Sequence, residues 1–212
     1  KPDWRALASQ QSARDISQRT ELDHSEREMK LSVISTLIAA LNGRGLIDPD
    51  RIALTGLSDG AETLYWSITH SDLFAVAVAS TPPMDATTWY VGSERFRRQR
   101  RTEYGDVSPW ADGEWGRYWR DVSPFHNANR VRIPLMMQLA DAEALPAFPL
   151  YSRLREAEMP IEFYVYPNEY HIKWRPLHLR IAQERALDWI DFWLQGIERS
   201  DPREPGRLDR WR

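Results

Sequence analysis

Ile52-Ala53-Leu54-Thr55-Gly56-Leu57-Ser58-Asp59-Gly60 is the stretch whose reading decides the fold. An apolar run of strand character delivers a serine bracketed by glycines, and helix-forming residues follow. This is the G-x-S-x-G turn in the setting it needs, strand, sharp turn and helix, which lifts a serine hydroxyl clear of the sheet. The turn strains the serine backbone, so Gly56 and Gly60 are expected to keep side chains out of the crowded corner while Ser58 Oγ stands ready to attack a carbonyl. The N–H of Asp59, the residue after the nucleophile, is the expected oxyanion donor, and the helix from Ala61 to Thr69 points its positive end at the same place.

A serine nucleophile needs a base and an orienting acid, which in this architecture follow in the chain order Ser, Asp/Glu, His. Four histidines lie downstream. His70 falls at the end of the nucleophile helix, where it reads as a cap of the last carbonyls. His126 precedes a strand, and His178 falls at the start of the last helix. His171 follows the alternating strand Ile161-Glu162-Phe163-Tyr164-Val165-Tyr166 and a short polar loop, so it sits at the carboxyl end of a strand, the edge that carries sites in open α/β sheets. His171 is the expected base. The acid should follow the preceding strand, Ile133 to Leu139. Asp141 is the first carboxylate beyond it and is preferred, with Glu143 as the alternate.

Asp48-Pro49-Asp50-Arg51-Ile52-Ala53 before the elbow, His70-Ser71-Asp72-Leu73-Phe74-Ala75 after it, and Ser123-Pro124 ahead of Ile133-Pro134-Leu135 resemble the catalytic domain of the prolyl oligopeptidase family of serine peptidases. Within that family, Gly56-Leu57-Ser58-Asp59-Gly60 and the segment Tyr166-Pro167-Asn168-Glu169-Tyr170-His171-Ile172-Lys173-Trp174-Arg175-Pro176 look like those of the lasso peptide isopeptidases. The resemblance covers roughly residues 20 to 197. It implies hydrolysis, through an acyl-enzyme, of the isopeptide bond between a lasso peptide's N-terminal amine and an Asp or Glu side chain. It implies no metal and no organic cofactor. A prolyl-oligopeptidase-like or acylaminoacyl-type peptidase acting on backbone amides is the alternative enzyme, and a peptide-binding scaffold domain is the alternative outside catalysis.

The expected fold class is α/β, the C-terminal part of an α/β-hydrolase. Only four strand-like runs are found, at 51–55, 75–80, 133–139 and 161–166, whereas such a sheet usually has about eight strands. The first half of the sheet, with a tyrosine that the resemblance implies as second oxyanion donor, is therefore expected to lie outside these 212 residues. The resemblance adds a β-propeller to that missing N-terminal part, and without the second donor the isolated chain is expected to be nearly inactive. Residues 1–212 are read as one domain portion, with 1–20 a poorly defined start and 198–212 a polar tail.

Composition narrows the remaining classes. A net charge of −3 gives no reason to expect nucleic acid or an anionic membrane as partner, and no apolar run is long enough to span a bilayer. The absence of cysteine excludes disulfides, thiol catalysis and cysteine-ligated metals. It leaves the compartment open, a bacterial cytoplasm being favoured over the periplasm.

Ser25-Glu26-Arg27-Glu28 reads as a capping box for a helix that buries Leu31, Ile34, Ile38 and Leu41 beside the elbow and closes at Asn42-Gly43. Thr81 to Arg130 is irregular and aromatic. Its Trp89, Tyr90, Trp110, Trp115, Tyr118 and Trp119 either line a substrate site or, as the simpler reading has it, cover the sheet's edge or pack under the missing N-terminal part. Arg95, Arg97, Arg98, Arg100 and Arg101 read as a solvated helix face. The last helix, Leu177 to Leu194, should turn Ile181, Leu187, Ile190 and Trp193 to the core.

Overall fold

The structure is a computed structural model that describes residues 18, 19, 22–86, 90, 94–104, 107–110 and 112–212. Four strands, β1 (Ala53–Gly56), β2 (Val76–Ala79), β3 (Leu135–Ala140) and β4 (Ile161–Tyr166), lie side by side in chain order, every pair parallel. Parallel neighbours need crossovers, and the chain between successive strands supplies helices for them. The helices are α1 (Ser25–Gly43), α2 (Asp59–His70), α3 (Glu94–Tyr104), α4 (Glu114–Val122), α5 (Asp141–Ala144), α6 (Phe148–Glu156), α7 (Pro176–Gln195) and α8 (Arg207–Trp211).

The strands show how a parallel sheet is buried on both sides. In β2 all four residues are buried. Ala77 and Ala79 face the cluster containing Leu64 and Ile68 of α2 and Leu150 and Leu154 of α6. Small residues there let a helix approach closely. Val76 and Val78 face the opposite cluster, with Met136 of β3, Trp189 of α7 and Trp211 of α8. The same alternation sends Leu135, Met137 and Leu139 of β3 toward α2 and α6. Truncating such a residue, Leu135→Ala for example, removes about 2–5 kcal/mol of stability.

Strand β1 pairs only with β2, so its other side is an edge of the described sheet. On α1, which packs against α2, Leu31, Ile34, Ile38 and Leu41 are half-buried. A second apolar stripe, Met29, Val33 and Leu37, is exposed at 59%, 63% and 57%. The capping box does not form. Ser25 is already helical, and its N–H is taken by Asp23 Oδ1 at 2.9 Å. The helix runs through Gly43, and Gly45, at φ 67°, makes the left-handed turn that ends it.

The aromatic segment builds its own small core. Tyr90, Trp115, Tyr118 and Trp119 gather with Trp66 of α2, Met84, Val107 and Val122. This favours packing over substrate lining for those four. Trp110 is exposed, and Trp89 lies outside the described residues. On α3, Arg95 and Arg98 are exposed, while Arg97 donates to the Tyr90 carbonyl and Arg101 to the Tyr90 hydroxyl. The side chain of Arg100 lies outside the described residues.

At the C-terminus, residues expected as a polar tail fold back instead. Trp211 is buried against Trp189, and Arg207 is buried over the Trp211 ring, bound to Asp188 and the Arg199 carbonyl. A buried guanidinium with carboxylate and carbonyl partners turns a polar stretch into packed structure. In α7 only Trp189 is fully buried; Ile181, Ile190 and Trp193 are half-buried, and Leu187 is exposed.

Candidate active site

The turn between β1 and α2 has the geometry its sequence predicts. Ser58 sits at φ 57°, ψ −127°, a conformation that L-residues rarely hold without support. Support comes from Thr81, beyond β2, whose Oγ1 accepts the Ser58 N–H at 2.6 Å. Thr81 is itself held by Tyr65 of α2, whose hydroxyl donates to the Thr81 carbonyl at 3.0 Å. Burial, together with the negative charge of Asp85, pushes the Tyr65 phenol far up, so it stays a neutral donor.

The two glycines differ. A Cβ on Gly56 would collide with the Gly60 carbonyl and lie 2.7 Å from the Ala61 nitrogen, whereas a Cβ on Gly60 meets nothing within 4 Å. Of these two, only Gly56 is demanded by crowding.

Asp59 opens α2, and the N–H groups of a first helical turn have no partner within the helix. Its side chain would place a negative charge beside any developing oxyanion. Lys30 of α1 answers that charge at 2.7 Å and also binds Glu26 at 2.6 Å. Burial works against the Lys30 ammonium, but Asp59 and Glu26 outweigh it and raise its pKa.

His171 lies in the loop from β4 to α7, at the carboxyl edge where its position in the sequence predicts it. Its Nδ1 is 2.7 Å from Glu143 Oε1. With Nδ1–H donating to the carboxylate, Nε2 is left free to take a proton. The carboxylate that meets the histidine is thus that of Glu143 of α5, and not that of Asp141. Asp141 Oδ1 accepts the Ala142 N–H at 3.0 Å, and its Oδ2 accepts the Asn168 N–H at 2.8 Å. Those backbone donors, that of Asn168 foremost, hold its carboxyl below the usual aspartate range. The physical reason is a contact distant in sequence: Asp141 is drawn onto the Asn168 N–H beyond β4, and the carboxylate two residues on reaches the histidine.

His171 and Lys173 line a cavity of about 360 Å³ together with Gly56 and Leu57 of the elbow and Gln138 of β3. His171 and the elbow therefore share one edge of the sheet. Ser58 Oγ makes no hydrogen bond among the described residues, and the His171 side chain is 41% exposed. Catalytic hydrogen bonds commonly tighten only when substrate is present. Exposure alternates along the loop: Tyr170, Ile172 and Trp174 are 72%, 68% and 59% exposed, while Lys173 between them is buried.

The remaining histidines are engaged elsewhere. His70 stacks on Trp66 and contacts the Trp66 carbonyl through Nδ1, the helix-end role expected of it. His178 is bound to the buried carboxylate of Glu169 at 2.7 Å. His126 packs edge-on to Phe125. Among the described residues no three His, Asp or Glu side chains gather to hold a metal ion.

The profile of the prolyl oligopeptidase family matches residues 27–196. The chain belongs to the prolyl oligopeptidase family. Among curated relatives, it is 39% identical over 182 residues to the lasso peptide isopeptidase AtxE2 of Asticcacaulis excentricus, covering 86% of this chain and 26% of that protein. Among solved structures, AtxE2 isopeptidase without ligand superposes with a TM-score of 0.76 at 37% identity, over 85% of this chain and 27% of the other. Its serine-to-alanine variant with Astexin3-dC4 bound gives 0.82 at 36% identity, over 91% and 29%. The acylaminoacyl peptidase of Pyrococcus horikoshii shares the fold, with a TM-score of 0.67 at 20% identity over 80% of this chain and 28% of that chain.

The chain thus spans about a quarter of the length of the prolyl oligopeptidase family relatives it matches. Its four-stranded parallel sheet is the C-terminal part of their α/β-hydrolase fold.

Proposed function

We propose that the protein is a serine hydrolase of the lasso peptide isopeptidase kind, with Ser58 as nucleophile, His171 as base and Glu143 as the acid that orients it. The observation that carries the chemistry is the strained Ser58 turn on the same sheet edge as a histidine already paired through Nδ1 to a carboxylate. The substrate class rests on the 39% identity to AtxE2, whose variant holds Astexin3-dC4.

In this mechanism Ser58 Oγ attacks the amide carbon while His171 Nε2 takes its proton. Glu143 fixes the tautomer and stabilises the imidazolium. The carbonyl oxygen becomes an oxyanion facing the Asp59 N–H. As the C–N bond breaks, His171 returns the proton to the departing amine and leaves the carboxyl portion on Ser58. Water, deprotonated by the same imidazole, then releases the acid. Asp141 stands outside this sequence of steps, holding the start of the histidine loop through Asn168.

An isopeptidase of this kind recognises a threaded shape, so binding energy available only from the folded lasso positions the ring carbonyl. The test offers the intact protein a threaded lasso peptide and the same sequence as a linear peptide. Expected is a product heavier by one water, with a free N-terminus and a free side-chain carboxyl at the former linkage by tandem mass spectrometry. Faster cleavage of linear peptides, or an opened backbone amide, would replace this reading with that of a general oligopeptidase.

A further inference from the structure

The loop that carries His171 has no helix or strand of its own from Pro167 to Arg175. Fixing a residue's backbone costs conformational entropy, so a loop that must hold an imidazole in one place needs anchors. Asp141 holds its start at Asn168, which has a left-handed backbone at φ 53°. Lys173 reaches inward, and its Nζ donates to the Gln138 carbonyl at 2.8 Å. Gln138 is fixed in turn by the Tyr166 hydroxyl at 2.6 Å and by its own donation to the Ala182 carbonyl.

Glu169 closes the loop on itself. Its carboxylate accepts the Trp174 N–H at 2.9 Å and the Arg175 N–H at 3.3 Å, and lies 2.7 Å from His178 Nδ1. The side chain is fully buried. A buried carboxylate without donors would be strongly disfavoured, so these contacts form as a set. Burial alone would raise its pKa, yet the Trp174 N–H, His178 and the Arg175 N–H lower it overall. The result is a closed ring of chain from residue 169 to residues 174 and 175, with His171 inside it.

Resting on the assignment of His171 as the base, we propose that Glu169 is a positioning residue that holds the His171 imidazole on Glu143. It touches neither reacting atom. It acts by keeping the 169–175 ring shut, and thereby sets the angle from which Nε2 can meet the Ser58 proton.

The test uses the intact protein and its Glu169→Gln and Glu169→Asp variants. The first readout is the downfield proton resonance of His171 Nδ1–H, assigned by its loss in His171→Gln. The second is kcat and KM on the lasso substrate. Expected for Glu169→Gln are a weakened or lost resonance and a kcat reduced about 10–100-fold with KM within twofold, the pattern of a misaimed base. Glu169→Asp, which keeps the carboxylate on a shorter stem, should lose less. A resonance and kcat unchanged in Glu169→Gln would overturn the proposal, and a loss of thermal stability with both retained would do the same. The unsubstituted protein supplies a check free of folding losses: the Trp174 and Arg175 amides should exchange slowly with solvent, and free-loop exchange rates would overturn the positioning role. Failure of the hydrolase reading itself is distinguishable, because it would appear as absent phosphonate labelling at Ser58 in the unsubstituted protein, whatever Glu169 does.

Discussion

Replacing Glu143 by glutamine should separate the two neighbouring carboxylates decisively. Glu143 Oε1 and His171 Nδ1 stand 2.7 Å apart, a distance typical of a charge-assisted bond. A glutamine of the same shape can turn its NH₂ toward Nδ1, which then accepts a hydrogen bond and leaves the proton on Nε2. That tautomer cannot take a proton from Ser58. The corresponding change in a serine protease triad lowers kcat about 10⁴-fold, and the half-exposed ring here allows some return of the correct tautomer. We expect a loss of about 10²–10⁴ in kcat for Glu143→Gln, or roughly 3–5 kcal/mol of transition-state stabilisation. Asp141→Asn should cost less than about tenfold, because its contacts are with the Asn168 and Ala142 N–H groups and an amide oxygen can still accept one of them. Steady-state hydrolysis of the lasso substrate by the intact variants measures both. A larger loss for Asp141→Asn than for Glu143→Gln would refute the assignment of the acid.

The elbow glycines should respond differently. Gly56→Ala forces a methyl into the Gly60 carbonyl and should lower stability by about 1–3 kcal/mol, whereas Gly60→Ala, with open space in the first turn of α2, should fall within about 1 kcal/mol of the parent; thermal melting of both distinguishes them. Thr81→Val leaves the Ser58 N–H without its acceptor and should cost about 1–3 kcal/mol together with activity; a melting temperature and kcat like those of the parent would remove Thr81 from the elbow. The C-terminal fold should be acid-sensitive. Asp201 is lowered to about 2, chiefly by the Arg203 guanidinium, so its contribution to stability is complete above its ordinary value of 3.8 and is lost as the pH falls through about 2. Near-ultraviolet circular dichroism of the buried Trp211 should change within that window and be unchanged there in Asp201→Asn.

The strands, the elbow and the histidine loop were legible because each rests on a local pattern: a period of two, a glycine forced by crowding, a helix start. The acid was not. Asp141 and Glu143 differ by two residues on one short turn, and which of them meets His171 depends on Asp141 being drawn back by the Asn168 N–H, a contact across 27 residues of chain. Thr81 escaped notice for the same reason, since nothing near it in the sequence says that its hydroxyl meets a backbone nitrogen 23 residues earlier. The C-terminal segment was misread because its composition is polar, and composition cannot show that Arg207 finds carboxylate and carbonyl partners around a tryptophan. The apolar stripe of α1 was half legible: the period located the face that packs, and the second stripe becomes visible only in the structure.

The alternation along the histidine loop divides labour by parity. Positions 171 and 173 bear the imidazole and an anchor, whereas 170, 172 and 174 present Tyr, Ile and Trp outward from the same backbone. Exchanging an outward side chain leaves untouched every side-chain contact that fixes His171. The loop is therefore a place where the shape beside the site can drift, in nature or in a combinatorial library, while the chemistry stays constant. A library restricted to those three positions should retain labelling of Ser58 in most of its members.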